Sequence, residues 1–111
     1  MLLPNPDLAV VDAAKVRDYL LSPEHPVGRF KAAVFMAAGY RRDAWEALQA
    51  DLLATARLDA QVEAQTPFGQ MYSVAAILRG PGRRDLAVLA IWLVRRGEDV
   101  ARLVTVYPRT R

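Results

Sequence analysis

The chain has 111 residues, 15 Lys/Arg against 12 Asp/Glu, one histidine and no cysteine. A single domain of this length buries one core without staples, the missing cysteines exclude disulfides and thiolate metal sites, and a lone histidine leaves any zinc site dependent on carboxylates, so no metal and no cofactor is expected. No apolar run approaches the roughly 18 residues of a membrane span, and "MLLPNPDLAVVD" lacks the basic start of a signal peptide, which sets the expectation of a cytoplasmic protein with no membrane partner, or else a module of a larger secreted one.

Taken in chain order, helices come first. Asp12 is an N-cap for a short helix with Val16, Tyr19 and Leu20 on its apolar face, stopped at Ser22 by Pro23. A second helix is expected over about 26–38, with Phe30, Val34 and Ala37 on one face and Gly39 closing it. In the third, Asp43 and Glu46 stand in capping-box spacing and Trp45, Leu48, Leu52 and Ala56 recur at helical intervals.

After Asp59 the hydrophobic period becomes two. "AQVEAQ", "QMYSVAAIL", "LAVLAIWLVR" and "ARLVTVYP" read as strands, separated by the turns "TPFG", "RGPGRRD" and "RGED". The fold class that follows is α+β, a single domain over 1–111 in which two to three N-terminal helices (about 12–57) pack on a four-stranded antiparallel meander (about 60–108). Residues 86–94 are apolar on both faces, which suits a central strand whose far side has its own cover, a second copy in a homodimer being one candidate.

"SPEHPVGRFKA", residues 22–32, reads either as a joint between helices or as a site. Pro26 fits the first position of a helix, which puts His25 at the N-cap. The N–H groups of Val27 and Gly28 then form an anion seat that Gly28 leaves open, with Arg29 beside it and Lys31 one turn on. A phosphate there would meet a titratable imidazole and two cations, a frame for phosphodiester cleavage. The alternative is plain turn chemistry with a hydrogen-bonded surface histidine.

Thirteen of the fifteen cations are arginine, and residues 61–111 hold eight Arg against four acids while residues 1–60 hold seven Lys/Arg against eight. That bias suits an RNA or DNA partner or reflects a GC-rich genome. Trp92 either stacks a base or sits in the core, and Tyr72 and Tyr107 carry the same two readings. Strict alternation puts Arg102 and Thr105 on opposite faces of the last strand unless a bulge near Ala101 intervenes. Of the arginine pairs, only Arg95 and Arg96 are expected near a site. Glu98 and Asp99 belong to a turn.

"VVDAAKVRDYLLSPEHPVGRFKAAVF" and "AIWLVRRGEDVARLVTVYP" resemble an uncharacterised family of small bacterial domains, domain of unknown function 6883. The family pattern falls on His25, Pro26, Gly28, Lys31, Trp92, Arg95, Gly97, Glu98, Asp99, Arg102, Leu103, Thr105 and Tyr107. That family in turn resembles the barnase, EndoU, colicin and RelE nuclease superfamily, whose members are metal-independent ribonucleases and often toxins. The resemblance and the helix-end chemistry together point to His25, Lys31, Arg102 and Thr105 as catalytic residues and to Gly28, Arg95 and Tyr107 as phosphate or RNA contacts, to which the anion seat adds Arg29 and the arginine pair adds Arg96. The resemblance also implies RNA as a partner, together with a small cognate protein encoded nearby. Phe30 and Ala90 depart from the pattern, standing where a second histidine and a small hydroxyl residue are usual. Three functions are therefore carried forward: a metal-independent endoribonuclease of toxin type, a non-catalytic interaction module (an inactivated relative or the neutralising partner of a toxin), and a binder of small anions.

Overall fold

The computed structural model describes residues 1–109. It is an α+β domain: α1 (Ala13–Lys15) continues into a π-helical turn (Val16–Leu20), followed by α2 (Arg29–Ala37), α3 (Glu46–Thr55) and strands β1 (Gln61–Thr66), β2 (Gly69–Arg79), β3 (Asp85–Arg95) and β4 (Ala101–Pro108). The strands form one antiparallel sheet in sequence order, β1-β2-β3-β4. β3 is therefore internal, as its two-sided apolar sequence requires.

Register sorts the two faces of the sheet. Tyr72, Val74, Ala76 and Leu78 pair with Trp92, Ala90, Val88 and Leu86, and Trp92 and Ala90 pair onward with Leu103 and Val106. This face closes on Val16, Leu20, Phe35, Leu48 and Leu52 in one cluster, and fully burying each such side chain contributes roughly 1.5–3 kcal/mol. Trp92 is fully buried, which settles it as core and not as a base platform. On the other face Ala87, Leu89, Ile91 and Leu93 keep partial exposure.

Three local expectations fail for identifiable reasons. Phe30, Val34 and Ala37 do not face the core: Phe30 is 69% exposed, and the buried face of α2 is Ala32, Phe35 and Ala38. α2 is apolar around most of its circumference, so periodicity alone offered two faces of equal merit. α2 also starts at Arg29 and not near Pro26, because residues 26–28 form a turn closed by the Arg29 N–H donating to the His25 carbonyl (3.1 Å). Asp43 does not cap α3. Its carboxylate is held by the Arg41 guanidinium at 2.9–3.0 Å, and Arg42–Ala44 makes a 3-10 turn ahead of the helix. Asp12, by contrast, caps α1 as expected, accepting from the Ala14 N–H at 3.0 Å.

β4 is the edge strand nearest the site, and its edge is covered in two ways. Val10 bridges it in parallel, with Val10 N–H donating to Ala101 O and Leu103 N–H donating to Val10 O, both at 2.9 Å. Further along, the Lys15 ammonium donates to the Val104 carbonyl at 2.7 Å.

Candidate active site

The sequence places Tyr19 with Val16 and Leu20, but the π-helical turn separates them. The Leu21 N–H reaches back five residues to the Val16 carbonyl (2.9 Å), Val16 and Leu20 stay fully buried, and Tyr19 is only partly covered. Wide turns of this kind recur at functional positions in helices. The Tyr19 carbonyl lies so close to Gly28 that a Cβ there would stand 2.2 Å from its oxygen. Gly28 is thus required by the crossing of the two chain segments, and this close approach is what brings Lys31, one turn on, to the phenol.

Lys31 is the centre of the resulting cluster. Its ammonium donates to Tyr19 Oη at 2.9 Å and to Thr105 Oγ1 at 2.7 Å, and lies 4.4 Å from the centroid of the Tyr107 ring. An ammonium has three donors, so two are spent within the protein and the third remains on the side of half-exposed Tyr107. The hydrogen bond from Lys31 holds the Tyr19 phenol below its ordinary pKa; burial opposes this, while the Thr105 hydroxyl and the charges of Lys31 and Lys15 reinforce it.

His25 packs edge-on against the Tyr19 ring, centroids 5.0 Å apart. Its Nδ1 accepts from the Val27 and Gly28 N–H groups, each at 3.0 Å. Those donors are therefore not free, and the expected anion seat at this helix end is filled by the imidazole itself. The same two bonds fix the neutral ring in the tautomer that carries hydrogen on Nε2. His25 is at once the joint and a donor aimed away from it.

Arg102 and Thr105 do share a face. Arg102 pairs with Leu93 and Thr105 with Ile91, while Leu103 pairs with Trp92, so Val104 is the extra residue of a bulge. The bulge sits three residues beyond the Ala101 position considered from sequence. Tyr107, opposite Leu89, belongs to the same face. Arg102 reaches Glu98 at 3.3–3.4 Å, and Arg95 and Arg102 line one cavity with Lys15 and Asp12. Arg29 and Arg96 stand apart: the first lies over the Phe30 ring at 4.8 Å, and the second is exposed with its N–H donating to Phe68 O. No three His, Asp or Glu side chains gather in a metal-holding cluster among the described residues. No helix among them is long and apolar enough to cross a membrane.

The residues that sequence reasoning missed are Tyr19 and Lys15. The only available signal for either was the placement of an ammonium and a phenol one helical turn apart, at the spacing that puts both on one side of the segment. Residues 2–110 match the family model described as Domain of unknown function (DUF6883). The chain belongs to the DUF6883 family. No curated protein matches this DUF6883 domain. Among solved structures it is similar to a chain of the contact-dependent growth inhibition toxin–immunity protein complex from Klebsiella pneumoniae 342, with a TM-score of 0.69 and 15% identity over 96% of this chain and 97% of that one. At that identity the likeness is one of fold.

Proposed function

We propose that this DUF6883 domain is a toxin-type endoribonuclease that cleaves RNA by internal attack of the 2′-hydroxyl, without a metal ion. The observation that carries the reading is the Lys31 ammonium, held by Tyr19 and Thr105 with one donor left over, where the Tyr19 ring packs against His25 and Thr105 lies on the sheet face that bears Arg102. Cations and a pre-positioned phenol at one point are the organic means of stabilising a pentavalent phosphorane, and their placement before substrate arrives avoids reorganisation.

In the proposed step the O2′–P bond forms as Tyr19 Oη, in its ionised form, takes the 2′-hydroxyl proton. The P–O5′ bond breaks as the third N–H of Lys31 delivers a proton to O5′. The pair resets when the Tyr19 proton crosses the 2.9 Å hydrogen bond to Lys31. His25 Nε2–H donates to a non-bridging oxygen, Thr105 orients Lys31, and Tyr107 offers a ring face to a base. The fold shared with a chain of a toxin–immunity complex supports a module of toxin or immunity type with a small cognate protein as partner.

A second reading, a non-catalytic interaction module, is favoured by one observation: the outward side of α2 and its approach expose Val27 (64%), Phe30 (69%) and Val34 (38%). Incubating the protein with a labelled RNA in chelator separates the two. Cleavage that yields 2′,3′-cyclic phosphate ends, and that stops when the ribose at the cut is 2′-deoxy, supports the nuclease. Intact RNA together with tight binding to a neighbour-encoded protein supports the module.

A further inference from the structure

Beyond the Lys31 cluster, a cavity of about 330 Å³ lies between the N-terminal segment and the β3–β4 end of the sheet. Val10, Asp12, Lys15, Leu93, Arg95 and Arg102 line it. Leu93, Arg95 and Arg102 reach it from the same sheet face as Thr105, because Leu93 pairs with Arg102 and the bulge at Val104 restores Thr105 to that face. Three cations thus converge on one hollow against a single carboxylate. That carboxylate, Asp12, already accepts the Ala14 N–H, Arg102 is shared with Glu98 at 3.3 Å, and Arg95 has no ion pair among the described residues. Lys15 is spent in part on the β4 edge and Arg102 on Glu98, whereas Arg95, exposed at the last position of β3, has no such role among the described residues.

Lys15 links the hollow to the cluster. Its Nζ is fixed on Val104 O at 2.7 Å and lies 5.9 Å from the Tyr19 ring. Along the sheet, Arg102 and Thr105 are offset by the two β3 residues that separate their partners Leu93 and Ile91, roughly 6.5 Å at strand rise. That is comparable with the step between successive phosphates of an extended single strand.

We infer that the Lys15–Arg95–Arg102 cavity binds the phosphate next to the reacting one, so that the ligand of this face is a nucleic-acid strand with at least two phosphates. The inference rests on the nuclease reading only for the identity of the neighbouring phosphate, and its test uses strands that cannot be cleaved. Titrate the protein with an all-deoxy dinucleoside monophosphate, an all-deoxy trinucleoside diphosphate and inorganic phosphate, for the wild type, Arg95→Gln and Arg83→Gln. Arg83 lies in the turn at the opposite end of β3 and controls for net charge.

The expected result is that the two-phosphate strand binds the wild type more tightly than the one-phosphate strand. Arg95→Gln should weaken the two-phosphate strand about tenfold more than the one-phosphate strand, and should lower its log–log salt slope by about 0.7. Arg83→Gln should do neither. Equal effects of Arg95→Gln on both strands, or equal effects of Arg83→Gln and Arg95→Gln, would overturn the assignment. So would inorganic phosphate binding with full Arg95 dependence while chain length adds nothing, since that describes a site for a free anion. Arg95→Gln is also checked by its melting temperature, which an exposed strand-end side chain should leave unmoved. Absence of RNA cleavage in the separate chelator assay, with this binding pattern intact, overturns the nuclease and leaves the subsite standing.

Discussion

At its N-terminal end α2 meets α1's π-helical turn through Gly28, where an added Cβ would stand 2.2 Å from the Tyr19 carbonyl oxygen. At its C-terminal end it meets the β2–β3 hairpin through Gly80, where an added Cβ would stand 2.1 Å from the Ala38 carbonyl oxygen. Each end also carries a tyrosine with its hydroxyl in a strong hydrogen bond. Tyr19 accepts from Lys31 at 2.9 Å, while Tyr40, fully buried, donates to Asp51 at 2.5 Å. The cation lowers the first phenol's pKa, whereas burial foremost, and then the Asp51 carboxylate, raises the second's. Backbone contact of this closeness is therefore not what distinguishes a joint from a site. The distinguishing feature is what the side chains around it have left to give: Lys31 keeps a donor, and the hydroxyl of buried Tyr40 spends its one donor on Asp51.

The comparison is broken most directly at Lys31. Lys31→Ala should lower RNA cleavage by about 10²–10³-fold, the loss typical of removing one transition-state donor, while the melting temperature moves little, since the amine is only partly buried. Tyr40→Phe at the other end should leave cleavage unchanged and reduce stability by about 1 kcal/mol, part of it from the Asp51 carboxylate left without its partner. Cleavage that survives Lys31→Ala would dissolve the difference between the ends.

The glycines come next. Gly28→Ala and Gly80→Ala each force a backbone shift and should each lose about 2–3 kcal/mol in chemical denaturation. Only Gly28→Ala displaces Tyr19, and so only it should reduce cleavage beyond the fraction unfolded. Equal residual activity per folded molecule would show that the Tyr19 position does not matter.

His25 sharpens the comparison at a smaller scale, because one residue holds both roles. His25→Ala removes the acceptor for the Val27 and Gly28 N–H groups and should cost about 1 kcal/mol. His25→Asn restores an acceptor for those groups but has no Nε2–H. Stability should recover in Asn while cleavage stays down; recovery of both would make His25 a cap alone.

These contrasts also show what a reader of the sequence can reach. The four strands and their order were legible because "TPFG", "RGPGRRD" and "RGED" interrupt period-two runs, and such punctuation acts locally. The face of α2 was not legible, because Phe30, Val34 and Ala37 are as apolar as the residues that are buried. His25, Lys31, Arg102 and Thr105 could be nominated by residue type. The meeting of Lys31 with Tyr19 and Thr105, and the shared face of Thr105 and Arg102, depend on a π-helical turn at Val16–Leu20 and a bulge at Val104, each an insertion of one residue into a regular ladder. An insertion of that kind leaves no mark in hydrophobic periodicity, and so Tyr19 read as core.

The finest contrast is between the two phenols themselves. In a titration followed by tyrosinate absorbance Tyr19 should ionise before Tyr40, and Tyr19→Phe should remove the earlier of these two phases. The stability consequences have opposite signs. Tyr19, with its folded pKa below the usual value of 10.0, contributes stability that is present above that value and fades as pH falls through the lowered one. Tyr40, with its folded pKa raised, contributes stability that is present at neutral pH and is lost as pH climbs past the ordinary tyrosine range. Against wild type, Tyr19→Phe should therefore fall further behind as the solution is made alkaline, while Tyr40→Phe should close its gap. In the cleavage assay the rate should rise with pH below the ordinary tyrosine range as Tyr19 becomes the acceptor of the 2′-hydroxyl proton, and Tyr19→Phe should flatten that rise. A rise that persists unchanged in Tyr19→Phe would hand the proton to another group and leave Tyr19 as packing.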